Sequence, residues 1–385
     1  MNGLDLLIGI AACAAVIGGW SLGFLRRLSG WIGAAAGIAL AIYLTPILVR
    51  HIGLPSDPAI LAFGAAVFVL LTSAGQSLGG FIGSKVRSGV TSTVGDKADS
   101  FGGALLGVVG VAVVAWLVVP VMAQASGWPA ATVRGSAVAQ VVTDHFPAPP
   151  GQISQIEREL AGGEFPKIFE GLRQAPEVPK PPLDSPLPQA AIATATRSVV
   201  RVEAPACGRI QSGSGFFVGN GLVVTNAHVV AGSEQVSLDD SSGTSHQAEV
   251  IHFDPKVDLA LISTSFDRPA FDLAPPQVGD AGLVMGFPGG GELAPSPFSV
   301  GKRINAKGYD IYDGNLVTRD LLVLASELQP GDSGSAVVRK DGSAIGVAVA
   351  IAPDNKSVAY AISSDTLRTV MAQADPSVAD TGPCT

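Results

Sequence analysis

Gly331-Asp332-Ser333-Gly334-Ser335 stands between the apolar runs Leu321-Leu322-Val323-Leu324 and Ala336-Val337-Val338, and its reading decides the fold of the second half of the chain. Two glycines around one serine fit a tight turn between strands. Glycine takes positive φ without steric cost, so such a turn can leave the hydroxyl clear and aim neighbouring N–H groups at one point, where an oxyanion can sit. A surface hairpin loop would give the same letters in a chain with 47 glycines. The reading therefore depends on a base and an orienting group elsewhere.

Working outward from the turn, short apolar runs separated by Gly, Pro, Asn and Asp begin near residue 190: 198–202, 215–218, 222–225, 236–238, 248–253, 259–263, 281–287, 321–325, 336–338, 344–351 and 358–362. This spacing predicts an all-β barrel or sandwich, with length enough for two small barrels packed together. A helix is expected only over 365–374 at the end.

One run, Val223-Val224-Thr225-Asn226-Ala227-His228-Val229-Val230, is a strand leading into a small-residue turn that carries a histidine. Histidine is the side chain best suited to accept a proton near neutral pH. Another, Val257-Asp258-Leu259-Ala260-Leu261-Ile262, opens an apolar strand with an aspartate, which needs a donor if it is buried. An imidazole Nδ1–H would satisfy it and fix the tautomer.

The first third is of another kind. Residues 4–24, 28–49, 59–83 and 101–123 are long and apolar enough to cross a bilayer, and only Asp5 is charged within them. No basic region precedes the first, so it reads as a retained anchor rather than a signal peptide. Arg26 and Arg27 fall between the first and second spans, Lys85, Arg87 and Lys97 between the third and fourth, and only Arg50 between the second and third. The positive-inside rule then places the first and third loops in the cytoplasm, both termini outside, and everything after about residue 125 outside as well. Glycines four apart (Gly19/Gly23, Gly33/Gly37, Gly79/Gly83, Gly103/Gly107) would let four helices pack closely. With no acidic or basic residue inside the spans apart from Asp5 at the edge of the first, a transporter is disfavoured.

Residues 126–189 form a spacer. Within it, 152–172 suggests one or two short helices, and the proline-rich stretch 175–188 suggests an extended segment that cannot join a sheet and is open to proteolysis. The domain organisation expected is thus an anchor over 1–125, a spacer over 126–189 and a β domain over 190–385. Net charge is −8 for 385 residues; 1–125 carry 6 Lys/Arg and 4 Asp/Glu, which leaves −10 on the remainder. That acidity argues against a nucleic-acid partner.

The order His228, Asp258, Ser333, in the contexts TNAHVV, DLALI and GDSGS and with Gly-Phe-Pro-Gly-Gly at 286–290, closely resembles the chymotrypsin-like and HtrA-like serine proteases. Four spans ahead of such a domain resemble more specifically the actinobacterial membrane-anchored proteases of the MarP type, whose anchor is similar to colicin V production proteins. The resemblance implies two antiparallel β-barrels with the site between them, His228 and Asp258 from the first and Ser333 from the second. It implies Ser333 as nucleophile, His228 as acid and base, Asp258 as its orienting group, and the Gly331 and Ser333 N–H groups as oxyanion hole. Relatives often have glycine and proline where this chain has Ser335 and Ala336, small changes that leave the turn intact. One wall of the primary pocket is expected from 346–351, favouring an apolar side chain; Glu327 would instead select a basic one, unless it is exposed or salt-bridged.

The family is associated with acid and oxidative stress in the envelope, so the expected substrates are envelope proteins, and the chain itself by autocleavage in the spacer. A non-catalytic peptide-binding membrane assembly module is the alternative. Cys207 and Cys384 flank the protease domain outside the membrane, where a disulfide is allowed and where the resemblance supports it; unpaired thiols or a redox sensor are the other readings. Cys13 is a small apolar residue of the first span. His246 and His252, near Asp239 and Asp240, lack ligand spacing, so no metal and no cofactor is expected.

Overall fold

The computed structural model describes residues 2–52, 57–89, 92–124, 127–146, 174–184, 187–206, 208–375 and 377–384. It divides into two compact units, Met1–Val118 and Val119–Thr385.

The first unit is built from long helices: α1 (Gly3–Leu22), α2 (Phe24–Ile52), α3 (Asp57–Arg87) and most of α4 (Thr93–Gln124). All four are long and apolar enough to cross a membrane. Small residues set the packing, for a Cβ on Gly33 would collide with the Gly75 carbonyl and one on Gly37 with the Leu71 carbonyl. This is how α2 and α3 approach so closely along their length. The glycines at 19 and 103 meet in the same way between α1 and α4.

Arg26 and Arg27, expected in a loop, belong instead to the first turn of α2. Gly23, at φ 76°, is by itself enough to break the chain between the helices. Arg27 Nη1 donates to the carbonyls of Ala15 at 2.8 Å and Gly103 at 3.1 Å. At the same end of the bundle the Leu25 N–H donates to Asp99 at 2.9 Å and Arg87 pairs with Asp99 at 3.0 Å. The two basic connections therefore share one end of the unit.

In the second unit, α5 (Trp128–Arg134) and α6 (Ala137–His145) occupy spacer positions for which no helix was expected; the stretch 152–172, where helices were expected, lies outside the described residues. Residues 174–184 hold no helix or strand. They are not wholly free, because the Ala175 N–H donates to Asp354 at 2.9 Å, Val178 packs on the main hydrophobic core of the unit, and Leu187 is buried in it. Leu183 between them is exposed.

After α7 (Gln189–Arg197) come twelve described strands: β1 (Val199–Ala206), β2 (Arg209–Gly219), β3 (Leu222–Thr225), β4 (Val236–Asp239), β5 (Ser245–Asp254), β6 (Leu259–Ser263), β7 (Ala281–Met285), β8 (Ser296–Tyr309), β9 (Leu316–Ala325), β10 (Ala336–Arg339), β11 (Ala344–Ala352) and β12 (Asn355–Ser363). A short helix α8 (Ala227–Val230) follows β3, and α9 (Ser364–Gln373) follows β12. Neither α7 nor α8 was expected; three- or four-residue apolar groups are too short for a helical period to show. The strands close two antiparallel barrels, in the orders β1-β2-β3-β6-β5-β4 and β10-β11-β12-β9-β8-β7. Closure removes sheet edges and buries one face of every strand.

One core cluster runs through both barrels, from Phe216, Leu259 and Leu261 to Met285, Leu321, Val347 and Tyr360. The barrels are thereby fixed to each other. Strand β8 was not expected. Its alternation, Phe298, Val300, Ile304, Ala306, slips by one residue at a bulge between Val300 and Lys302, and its intervening Ser, Lys, Arg and Asn mask the pattern. With β9 it makes an arm whose tip reaches the first barrel: the Ile311 N–H donates to the Pro255 carbonyl at 3.2 Å, and Ile311 packs on Ala227 and Ala231.

Candidate active site

His228 lies on α8, whose four residues are all buried. The turn before β6 brings Asp258 beside it. Asp258 has φ 64°, in the left-handed region that non-glycine residues seldom occupy, and is fully buried. Strain of this kind persists where the surroundings over-determine it. Here they do: the Asp258 N–H donates to the Asp254 carbonyl at 2.9 Å, and Asn226 Nδ2 donates to the Asp258 carbonyl at 2.9 Å. Both carboxylate oxygens then face His228, Oδ1 accepting its main-chain N–H at 2.9 Å and Oδ2 lying 2.8 Å from Nδ1. Two bonds to one residue fix both the position of the helix and the plane of the ring. With Nδ1 as donor, Nε2 is left with a lone pair.

The glycine-flanked serine comes from the second barrel, between β9 and β10. Gly331 has φ 95° and Gly334 φ 87°. At Gly331 a Cβ would come within 2.5 Å of the Phe287 carbonyl oxygen and 2.7 Å of the Gly289 nitrogen, so no other residue fits there. Among the described residues neither the Gly331 nor the Ser333 N–H donates to a protein acceptor. Their carbonyls are turned away and held: Ser214 Oγ donates to the Gly331 carbonyl at 2.7 Å, and the Ser214 N–H donates to the Ser333 carbonyl at 2.7 Å. The Phe287 N–H in turn donates to Ser214 Oγ at 2.9 Å. On the far side, β11 pairs with the turn, the Gly334 N–H donating to the Ala348 carbonyl at 2.9 Å.

His228 and Ser333 line one cleft of about 260 Å³, together with Gln211, Ser212, Gly290 and Gly331. Ser333 Oγ and His228 Nε2 are both buried, and among the described residues both are without a hydrogen-bond partner. The bond between nucleophile and base is thus open in this state, as it often is before substrate tightens a site. What the cleft offers chemically is a hydroxyl, an oriented imidazole backed by a carboxylate, and two undirected N–H groups.

Asp332, between Gly331 and Ser333, is buried, and burial pushes its carboxyl up to about 6; the Gln329 N–H, donating at 2.9 Å, offsets only part of this. Glu327 is exposed and accepts a bond from Ser357 Oγ at 3.3 Å, outside the cleft lining. His246 stacks on Phe266 with ring centres 3.8 Å apart, and the described residues hold no group of three metal-ligating side chains. Cys13 is a free thiol; Cys384 is not, and its expected partner Cys207 lies outside the described residues. Ser214 was not singled out from sequence. Its only signal was its place between two glycines, Gly213 and Gly215, in a strand.

Residues 213–347 match the family of trypsin-like peptidase domains, and residues 4–147 match colicin V production protein. The serine protease Rv3671c of Mycobacterium tuberculosis is 29% identical over 376 residues, covering 94% of this chain and 93% of the relative. A probable periplasmic DegP-like serine endoprotease of Rickettsia prowazekii is 30% identical over 172 residues, 42% of this chain and 33% of its own. The crystal structure of the Rv3671c protease in its active form superposes with a TM-score of 0.50 at 30% identity, covering 55% of this chain and 98% of that one.

Proposed function

We propose that this chain, which belongs to the trypsin-like serine proteases as a homologue of Rv3671c, is a membrane-anchored serine endopeptidase that cleaves proteins of the cell envelope outside the membrane. The observation that carries the reading is the doubly bonded Asp258–His228 pair, with Nδ1 and Oδ2 at 2.8 Å, opening on the cleft that holds Ser333.

In the proposed reaction Ser333 Oγ attacks the peptide carbonyl and its proton passes to His228 Nε2. Asp258 holds the ring and stabilises the imidazolium. The Gly331 and Ser333 N–H groups receive the oxyanion. His228 then gives the proton to the leaving amine, and water repeats the sequence to free the acyl enzyme. Neither base nor nucleophile needs a metal or cofactor for this.

The loop charges favour a four-span anchor with both termini and the protease outside the membrane. In that oxidising setting we assign Cys384 to a bridge with Cys207, closing a loop long enough to add roughly 5 kcal/mol on the chain-entropy account. The exposed stretch around Leu183 is the proposed place of self-cleavage. A part in acid or oxidative stress resistance follows by analogy with the family. Non-reducing mass spectrometry tests the bridge: no Cys207–Cys384 peptide sinks it.

The activity itself is tested on the full chain in detergent with a fluorophosphonate probe. A single adduct on Ser333 that disappears in Ser333→Ala is expected. An intact, folded protein that forms no adduct at neutral pH would leave the peptide-binding assembly module as the better reading.

A further inference from the structure

Arg319 belongs to β9 and lies opposite Ala306 in the β8–β9 arm. It is 2% exposed, and among the described residues Nε and both Nη atoms have no hydrogen-bond partner. A fully buried guanidinium with five unused donors is costly unless the surroundings supply opposite charge. They do so from three elements: Asp258 in the turn before β6, Asp310 beyond the end of β8, and Asp254 at the end of β5. Burial lowers the Arg319 pKa, and Asp258 is the strongest of the influences opposing that.

The three carboxylates are not equivalent. Asp254 Oδ1 accepts the N–H groups of Lys256 at 2.8 Å and Val257 at 3.2 Å, and Asp310 accepts from Asn315 Nδ2 at 2.6 Å and the Gly314 N–H at 2.8 Å, so each is spoken for within its own turn. Asp258 is fully buried and both its oxygens are given to a single residue, His228. Among the described residues no Lys or Arg side chain pairs with it directly; the one ion-pair partner is His228. The arm that carries Arg319 is fastened at its tip to the first barrel through Ile311 and Pro255, beside α8. The arm of the second barrel thus carries a buried cation close to the part of the first barrel that holds the pair.

We propose that Arg319 is a positioning residue for the proposed protease reaction, supplying from the β8–β9 arm the counter-charge that holds the Asp258 carboxylate against His228. Without that charge, the buried carboxylate relaxes toward other donors and the imidazole loses its orientation. Arg319 is not among the residues lining the cleft, so its effect is expected on turnover and not on binding.

The test uses the full chain in detergent. Arg319→Met lowers kcat on a fluorogenic peptide by roughly ten- to a hundred-fold with KM within twofold, and Arg319→Lys restores most of it. A kcat within twofold of the wild type in Arg319→Met, or no rescue by lysine, overturns the proposal. Because this rests on the protease reading, a second measurement works without activity: the melting temperatures of Arg319→Met, Asp258→Asn and the double variant form a cycle. The loss caused by Arg319→Met is smaller in the Asp258→Asn background than in the wild type. Additive losses, or stronger coupling to Asp310→Asn than to Asp258→Asn, overturn it. If Arg319→Met alone does not fold, recovery of folding in the double variant supports the assignment, and failure in both backgrounds overturns it.

Discussion

Ser214 Oγ donates to the carbonyl of Gly331 at 2.7 Å across the seam between the barrels. Through this bond a strand of the first barrel holds the 331–332 peptide, whose own N–H donates to the Gln329 carbonyl at 3.0 Å and which joins the two proposed oxyanion donors. Ser214→Ala leaves that carbonyl and the Phe287 N–H without their partner in a buried place, at a cost of about 1–3 kcal/mol. We expect kcat to fall by roughly tenfold with KM little changed, while the Asp258–His228 bonds persist. Steady-state kinetics on a peptide substrate, with a melting curve to register the stability loss, checks this.

Gly331→Ala places a Cβ at φ 95° against the Phe287 carbonyl and the Gly289 nitrogen. The turn must shift, and the 331 N–H shifts with it. Loss of one oxyanion donor typically costs about a hundred- to a thousand-fold in rate. The expected signature is a fall of that size in kcat/KM in a protein that still folds. Activity close to the wild type would remove Gly331 from the proposed oxyanion hole.

Asp332 links the turn to pH. Burial raises its folded pKa to about 6, against about 3.9 in an unfolded chain. Between those values the folded protein holds more protons than the unfolded one, so stability falls as pH rises from about 4 to about 6 and stays low above that. The difference between the two values corresponds to roughly 3 kcal/mol. In a Ser333→Ala background, which prevents self-digestion, Asp332→Asn should flatten this slope and raise the melting temperature at pH 7. Parallel curves for the two proteins between pH 4 and 7 would count against the assignment.

In the anchor, Gly33→Leu forces α2 away from the Gly75 carbonyl on α3, whereas Gly18→Leu projects into open space. Solubilised in mild detergent, the first variant should lose thermal stability and the second should match the wild type. Equal behaviour of the two would refute close α2–α3 packing as the source of bundle stability.

Much of the site could be read from residues alone because its chemistry is compressed into short strings. Gly331 and Gly334 are glycines for backbone reasons, and Asp258 opens a strand that is otherwise wholly apolar. What escaped notice depends on contacts distant in sequence. Ser214 looks like any strand serine until Gly331, 117 residues on, is folded against it. Arg319 precedes the apolar run 321–325 and reads as a solvated flank, because the register that buries it comes from β8, whose own alternation is broken by a bulge. Arg26 and Arg27 were placed in a loop since charge usually ends a span; Gly23 ends it sooner, and the Ala15 and Gly103 carbonyls satisfy Arg27 inside the bundle.

The segment on either side of Leu183 has a mechanical consequence. Upstream, the Gly127 N–H donates to the Pro353 carbonyl at 2.9 Å and the Ala175 N–H to Asp354 at 2.9 Å, both on the β11–β12 hairpin; downstream, Leu187 is sunk in the barrel core. A single cut near Leu183 therefore severs the chain without detaching the pieces. If the proposed cut is made there, nicking and release would be separate events, with the new ends held to the protease until the hairpin lets go.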